Sequence, residues 1–267
     1  MRKVVYASLA LFSALLLTAG NAAATSYGDN ITIYDGTQDA AHTGTGQGRE
    51  DNETEPGMVN TQAWDLEGFF LKSNTLSMIG GYNFKDGYGG FTSGDVFIST
   101  TGSYGNTDPN FSDTKNNVKV KNTFGYEYAI DLDFTSSTYN VYALNANSWT
   151  ITAYYPENEN DSPGSNPWRY ASGGDLISQG NSFSFVSGLT NGQTSFTGGT
   201  HYAVTGLDLS FLGANTNFVA HFTMGCGNDN LMGSGTTAPV PEPATMMLFG
   251  TGLAGLAGAY RRKRRNA

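Results

Sequence analysis

The sequence predicts an all-β fold: a mainly antiparallel, jelly-roll-like β-sandwich of about ten strands, with a single transmembrane helix near the C-terminus. Three observations carry this. Residues 126–134 alternate strictly, with Tyr126, Tyr128, Ile130, Leu132 and Phe134 on one face and Glu127, Ala129, Asp131 and Asp133 on the other. That is the period of a strand with one polar face. Similar short apolar runs recur through the middle of the chain, separated by clusters of Gly, Asn, Asp and Ser that make turns. Outside the two ends, no window of about a dozen residues holds the 3.6-residue apolar period of a helix.

In chain order the candidate strands are 31–34, 64–71, 75–79, 95–100, 126–134, 138–144, 149–155, 182–186, 202–204, 207–212 and 217–224. Gly80-Gly81 and Gly89-Gly90 are turn points. Segments 35–60, 102–117 and 156–174 read as loops or arms, and 233–239 as a short structureless linker. A β-helix is the rival architecture, but it needs a short repeat and no fixed one is present. The chain has 267 residues, of which 35 are Gly and 13% aromatic. The 216 residues from Thr25 to Val240 are enough for one sandwich core.

The ends read differently. Met1-Arg2-Lys3, an apolar run over 4–17 and a small-residue stretch over 18–24 form the three regions of a signal peptide. Ala22 and Ala24 stand at −3 and −1 for cleavage before Thr25. At the other end Pro241-Glu242-Pro243 precedes 17 uncharged residues, 244–260, and then Arg261, Arg262, Lys263, Arg264 and Arg265. As a helix the uncharged stretch is roughly 25 Å long. This is slightly short for a ~30 Å hydrocarbon core, a gap that snorkelling arginines close. The basic cluster keeps that end cytoplasmic and places the preceding domain outside. The chain thus divides into 1–24 signal peptide, 25–232 sandwich domain, 233–239 linker and 240–267 sorting segment.

Val240-Pro241-Glu242-Pro243, a short Gly/Ala/Leu-rich helix and a terminal Arg/Lys cluster, in that order, resemble the PEP-CTERM sorting signal of Gram-negative bacteria. The resemblance covers about 28 residues. It implies passage through signal peptidase, recognition by an exosortase (a membrane transpeptidase-like enzyme), a membrane stage through the C-terminal helix, and release or transfer to the cell surface or extracellular matrix. It also implies an association with exopolysaccharide. A weaker resemblance links the middle of the chain to one group of PEP-CTERM surface proteins. It rests on His221-Phe222-Thr223-Met224-Gly225-Cys226-Gly227-Asn228-Asp229, Trp64-Asp65-Leu66-Glu67-Gly68-Phe69-Phe70 and Gly94-Asp95-Val96-Phe97-Ile98. It brings no activity with it.

The formal charge of −9 averages segments with different fates. Between Thr25 and Val240 seven Lys or Arg face 22 Asp or Glu, which leaves −15. Such a domain suits cations or neutral sugars and excludes a nucleic-acid binder. The single Cys226 rules out an intramolecular disulfide and reads first as a small buried hydrophobe, with an intermolecular disulfide partner and an attachment point as the alternatives.

Catalytic templates are absent: there is no His-Glu-x-x-His, no Gly-x-Ser-x-Gly and no phosphate-binding loop. His42 falls in a Gly/Thr-rich segment, and His221 alternates with Ala220 and Phe222, which predicts a polar strand face. Asp131 and Asp133 project from one strand face about 6–7 Å apart, a spacing compatible with glycoside hydrolysis. Glu67 and Glu127 look isolated. No cofactor is expected. Asp86, Asp95 and Asp229 in acidic, Gly-rich turns are candidates for structural calcium, with Asx-turns as the competing role. Trp149 alternates with Ile151 and reads as core. Tyr155, Trp168 and Tyr170 border a loop and are candidates for stacking on a sugar. The sequence therefore predicts an exported, exosortase-processed, non-catalytic surface or matrix protein. A carbohydrate-binding adhesin module is the first alternative and a polysaccharide hydrolase the second.

Overall fold

The computed structural model describes residues 26–33, 50–51, 54, 58–103, 117–154 and 165–239. Among these residues it is all-β, with fifteen strands and one four-residue helix, α1 (Asn191–Thr194). The strands are β1 (Asp29–Asn30), β2 (Thr32–Ile33), β3 (Leu66–Lys72), β4 (Thr75–Gly80), β5 (Val96–Ser99), β6 (Lys119–Lys121), β7 (Tyr128–Asp133) and β8 (Thr138–Ala143). They continue with β9 (Trp149–Ile151), β10 (Arg169–Ser172), β11 (Asp175–Ser182), β12 (Ser184–Leu189), β13 (His201–Asp208), β14 (Asn217–Thr223) and β15 (Asn230–Thr236).

Three sheets form, and every strand pairing is antiparallel. Their orders are β1-β3-β4-β13-β12, β11-β8-β7-β5-β14-β15-β2 and β10-β9-β6. This order establishes antiparallel sheets and stops short of a jelly-roll wiring. No helix among the described residues is long and apolar enough to cross a membrane, and the expected span 244–260 lies outside them.

The two large sheets enclose the main core. Phe69, Leu76, Met78, Val204 and Leu207 from one meet Val96, Ile98, Ile130, Val141, Phe218 and Phe222 from the other, all nearly or fully buried. Each such side chain removed from water contributes about 1.5–3 kcal/mol. Alternate residues of the same strands then build a second apolar layer on each outer face. Phe70, Ile79 and Ala203 pack under Leu189 and Phe196 on the five-stranded sheet. Phe97 and Ala129 pack with Val120, Phe124 and Tyr126 on the seven-stranded sheet, beneath the small sheet. Both large sheets are therefore covered on two faces, which explains strands that read as apolar at consecutive positions, such as Phe69-Phe70.

Several expectations need correction. The segment 156–174 is not all loop, because β10 lies within it. The candidate 202–204 and the start of 207–212 are one strand, β13, with a register shift between Thr205 and Leu207, and Ser210–Leu212 is a 3-10 turn instead of strand. The linker expected at 233–239 begins inside β15, which pairs with β14 from Asn230 to Thr236. Gly233 and Gly235 are there for close packing: a Cβ on Gly233 would meet the Phe69 ring, and one on Gly235 would meet Leu71 and Phe218.

Candidate functional site

Three regions gather chemistry-bearing side chains. The first lies on the outer face of the five-stranded sheet. A register shift between Leu66 and Gly68 places Glu67 beside His201 of β13. Both are fully buried, and each Glu67 carboxyl oxygen is 2.7 Å from His201 Nδ1. Asn191 Oδ1 accepts the Gly199 amide, which fixes it as the acceptor 2.9 Å from His201 Nε2. His201 therefore carries its proton on Nε2, and a second proton lies between Nδ1 and Glu67. Burial pushes Glu67 well above the carboxylate range and His201 below the usual imidazole value. Both shifts favour the neutral pair, with Glu67 donating to Nδ1. Gln62 Nε2 donates to Glu67 Oε1 at 2.7 Å.

Asp51 and Asp65 complete this cluster. With Glu67 they are the described residues whose carboxylate spacing suits a cation, each offering an oxygen within 4.8 Å of the others. All three are buried. Asp51 accepts both the amide and the hydroxyl of Thr197, and burial nonetheless raises it. The cluster pins residues 50–51 to the segment after α1. Glu67, which looked isolated, is its centre. Glu127, also expected to be isolated, accepts from Thr100 N at 2.6 Å and Thr101 Oγ1 at 2.8 Å.

The calcium candidates are not brought together. Asp86 lies in a turn capped by Asn83, whose Oδ1 accepts the Lys85 and Asp86 amides and whose Nδ2 donates to the Asp86 carboxylate at 3.0 Å. Asp95 is buried beneath the small sheet, where its carboxylate accepts the Leu132 and Tyr170 amides at 2.9 and 2.8 Å. Burial, with Asp131 nearby, pushes it up to about 7. Asp229 is buried and accepts the Leu66 amide at 2.5 Å. Asp95 and Asp229 cap backbone amides and Asp86 accepts a side-chain amide, each in a different place. Asp131 and Asp133 do share a strand face, but Asp133 is tied into its own turn by Thr135 N and Ser136 Oγ, which lowers it, while burial raises half-buried Asp131.

The second region is aromatic. Trp64, Tyr88, Phe91 and Tyr154 form a chain of ring contacts 4.9–6.2 Å apart. Tyr88 and Tyr154 are 49% and 43% exposed. Beside them opens a pocket of about 220 Å³ lined by Phe91, Thr92, Asn117, Tyr154 and Trp168, with Gly90 and Gly225. The expected stacking set is only partly realised. Trp168 lines the pocket but is buried, since its ring packs over Gly225. Tyr170 is half-buried, stacked on Tyr142 at 4.4 Å, and its hydroxyl donates to Gly173 O. Tyr155 lies outside the described residues. The pocket's Tyr154 and Phe91 had no joint signal in the sequence, because the wall joins residues 63 apart in the chain.

The third region is the small sheet. Its inner face is Val120, Thr150 and Tyr170, and its outer face carries Lys119, Ile151 and Arg169 in one register row and Lys121, Trp149 and Ser172 in the next. Trp149 is thus half-exposed rather than core, because alternation groups it with Ile151 without saying which face turns inward. Lys121 Nζ sits 4.3 Å and Lys119 Nζ 5.5 Å from the Trp149 ring. His221 is corrected in the opposite sense. Expected on a polar face, it is fully buried beneath this sheet, stacked on Tyr126 at 5.4 Å, and donates from Nε2 to Pro167 O. His42 lies outside the described residues.

Taken together, fold and sites define an acidic antiparallel β domain joined to a C-terminal sorting segment. Residues 239–265 match the family model of the PEP-CTERM protein-sorting motif. The chain carries that motif, and with it the address of an exosortase-targeted surface or extracellular protein. No curated protein and no solved structure matches the chain, and nothing supports the Cys-Gly-Asn-Asp resemblance of the middle. The signal-cleavage residues Ala22, Ala24 and Thr25, the motif residues Pro241, Glu242 and Pro243, and the tail cations Arg261, Arg262, Lys263, Arg264 and Arg265 all lie outside the described residues.

Proposed function

We propose that the chain is exported behind its N-terminal signal peptide, held briefly by its C-terminal helix, processed by exosortase, and left at the surface or in the matrix. There it acts as a non-catalytic protein associated with exopolysaccharide. The sorting motif at 239–265 carries this reading. The buried state of the Asp51–Asp65–Glu67–His201 cluster supports a structural role for it, since no substrate reaches fully buried Glu67 and His201. Mass spectrometry of the mature protein from cells with and without exosortase is the test. The expected result is loss of the Arg261–Arg265 tail only when the enzyme is present. An intact tail in both strains overturns the reading.

A second reading, carbohydrate binding, is favoured by the pocket at Phe91, Tyr154 and Trp168. Its size suits a single sugar ring, and exposed aromatic faces with neighbouring hydroxyl and amide groups are the usual lining for one. Tyr154→Ala should weaken retention on immobilised polysaccharide without lowering the melting temperature. Unchanged retention excludes the pocket.

A further inference from the structure

From the register of the small sheet we infer that its outer face binds an acidic polysaccharide, with carboxylate-bearing sugars lying across Lys119, Lys121 and Arg169. The inference rests on the carbohydrate-binding reading and names the chemical class of that ligand.

The argument begins with how the cations are distributed. The domain from Thr25 to Val240 carries −15 overall, and only five Lys or Arg fall among the described residues. Three of those five stand on one face of a sheet ten residues in size. Lys119 and Arg169 flank Ile151 in a single register row, about 10 Å apart across three strands. Lys121 follows on the same face about 7 Å along β6. All three are exposed. Lys119 and Lys121 lie within one screening length of ~10 Å at 0.1 M salt and Arg169 at its edge, so the two lysines act on a ligand together.

Their local bonds leave charge to offer. Lys119 Nζ donates to Ser172 Oγ at 2.8 Å, and Lys121 Nζ to the Ala146 carbonyl at 3.2 Å. Each ammonium has three donors, so both keep capacity for a carboxylate. Among the described residues none of the three cations is in an ion pair; the His–carboxylate contact found there is the neutral His201–Glu67 pair. Arg169 does feel buried Asp95 and half-buried Asp131, whose carboxyls its charge lowers. The lysines are therefore the stronger anchors, and Arg169 sits at the rim. Half-exposed Trp149 has Lys121 Nζ over its ring at 4.3 Å and Lys119 Nζ at 5.5 Å, and so gathers the two ammoniums at one place. The aromatic pocket adjoins the same strands, since Asn117, Tyr154 and Trp168 stand one to three residues beyond Lys119, Ile151 and Arg169. A polymer is thus the fitting occupant: one stretch meets the cations and another the pocket.

The test uses the full-length chain in detergent, with the five tail cations changed to Gln in every form so that they add no binding of their own. Retention is measured on immobilised polyuronate and on neutral dextran at about 0.1 M salt, where the screening length is ~10 Å and distant carboxylates of the domain are muted. The expected result is retention on polyuronate that falls about tenfold in Lys119→Gln/Lys121→Gln and weakens as salt rises above about 0.1 M. Lys119→Arg/Lys121→Arg should keep it, as should Lys72→Gln/Lys85→Gln elsewhere on the surface. Melting curves and near-ultraviolet circular dichroism separate lost binding from lost fold. Equal retention on dextran, or retention indifferent to the lysines, overturns the acidic ligand while leaving carbohydrate binding standing. No retention on either polymer overturns both. Retention that emerges only after Glu157, Glu159 and Asp161 are changed to Gln assigns the face to the chain's own acidic segment and also overturns the proposal.

Discussion

His221 illustrates how a covering layer sets the chemistry of one side chain. Burial beneath the small sheet pushes its imidazole down to about 4, and the bond to Pro167 O offsets only part of that. Its folded value is below the unfolded one, so its contribution to stability is whole above pH 6.5 and is lost as the pH falls through about 4. The full span corresponds to roughly 3 kcal/mol. Asp95 has the opposite sign. Raised to about 7, it contributes most below pH 4 and loses that contribution as pH rises through 7. His221→Phe should therefore leave a melting temperature that declines steadily from pH 4 to 7, and a profile that still rises over that range would contradict the assignment. The Glu67–His201 pair yields a second expectation. If its shared proton rests on Glu67, Glu67→Gln preserves the hydrogen bond, changes stability by less than about 1 kcal/mol near pH 5 and gains on the native protein as pH rises, because Gln cannot ionise. Glu67→Ala should cost about 2–3 kcal/mol by leaving His201 and Gln62 without their partner. Denaturant titrations across pH distinguish the two. Cys226, buried with its thiol pushed up to about 11, should resist alkylation in the native state and react only on unfolding.

Among elements, the small sheet meets the large one along a seam at the start of β10. Gly94 donates to Thr223 O at 3.1 Å, and Asp95 donates its amide to Trp168 O at 2.8 Å, joining β10 to the large sheet. A Cβ on Gly94 would run into the carbonyls of both Trp168 and Thr223. Gly94→Ala should lower stability by about 2 kcal/mol or more and loosen β10 first. Loss of protection at the Tyr170 amide in hydrogen exchange would register it. Strands whose side chains alternate over five or more residues were legible: β7 and β8 lie within the expected 126–134 and 138–144. The strands β6, β10, β11 and β15 were not. β6 is three residues long, β10 is polar and half-exposed, β11 is exposed along most of its length, and β15 is glycine-rich. Their pairing comes from neighbours rather than from their own apolar period. Alternation also fixes which residues share a face without fixing which face turns inward, and this is why Trp149 and Trp168 were assigned to each other's places.

At the scale of the whole molecule, charge separates address from domain. The basic C-terminal segment holds the sorting motif, and residues 25–240 carry −15. An anionic polymer is repelled by that total, yet the cations of the described part are concentrated where the register of three short strands places them. Retention on polyuronate should accordingly be weaker at about 0.01 M salt, where the screening length reaches ~30 Å and the whole acidic domain is felt, than at about 0.1 M. A steady rise toward zero salt would mean that the small sheet is not where the polymer binds.

The sequence by itself determined the sorting motif, the acidic balance and the all-β class, because each is written in local order or in composition and survives without knowledge of any contact. Only the tertiary structure decided the rest. It placed Glu67 against His201 from 134 residues away, opened the pocket between Phe91 and Tyr154, and set Lys119, Lys121 and Arg169 on one face. The physical reason is that a strand's period is local, whereas its partner and its inward face are chosen by the layers that pack against it.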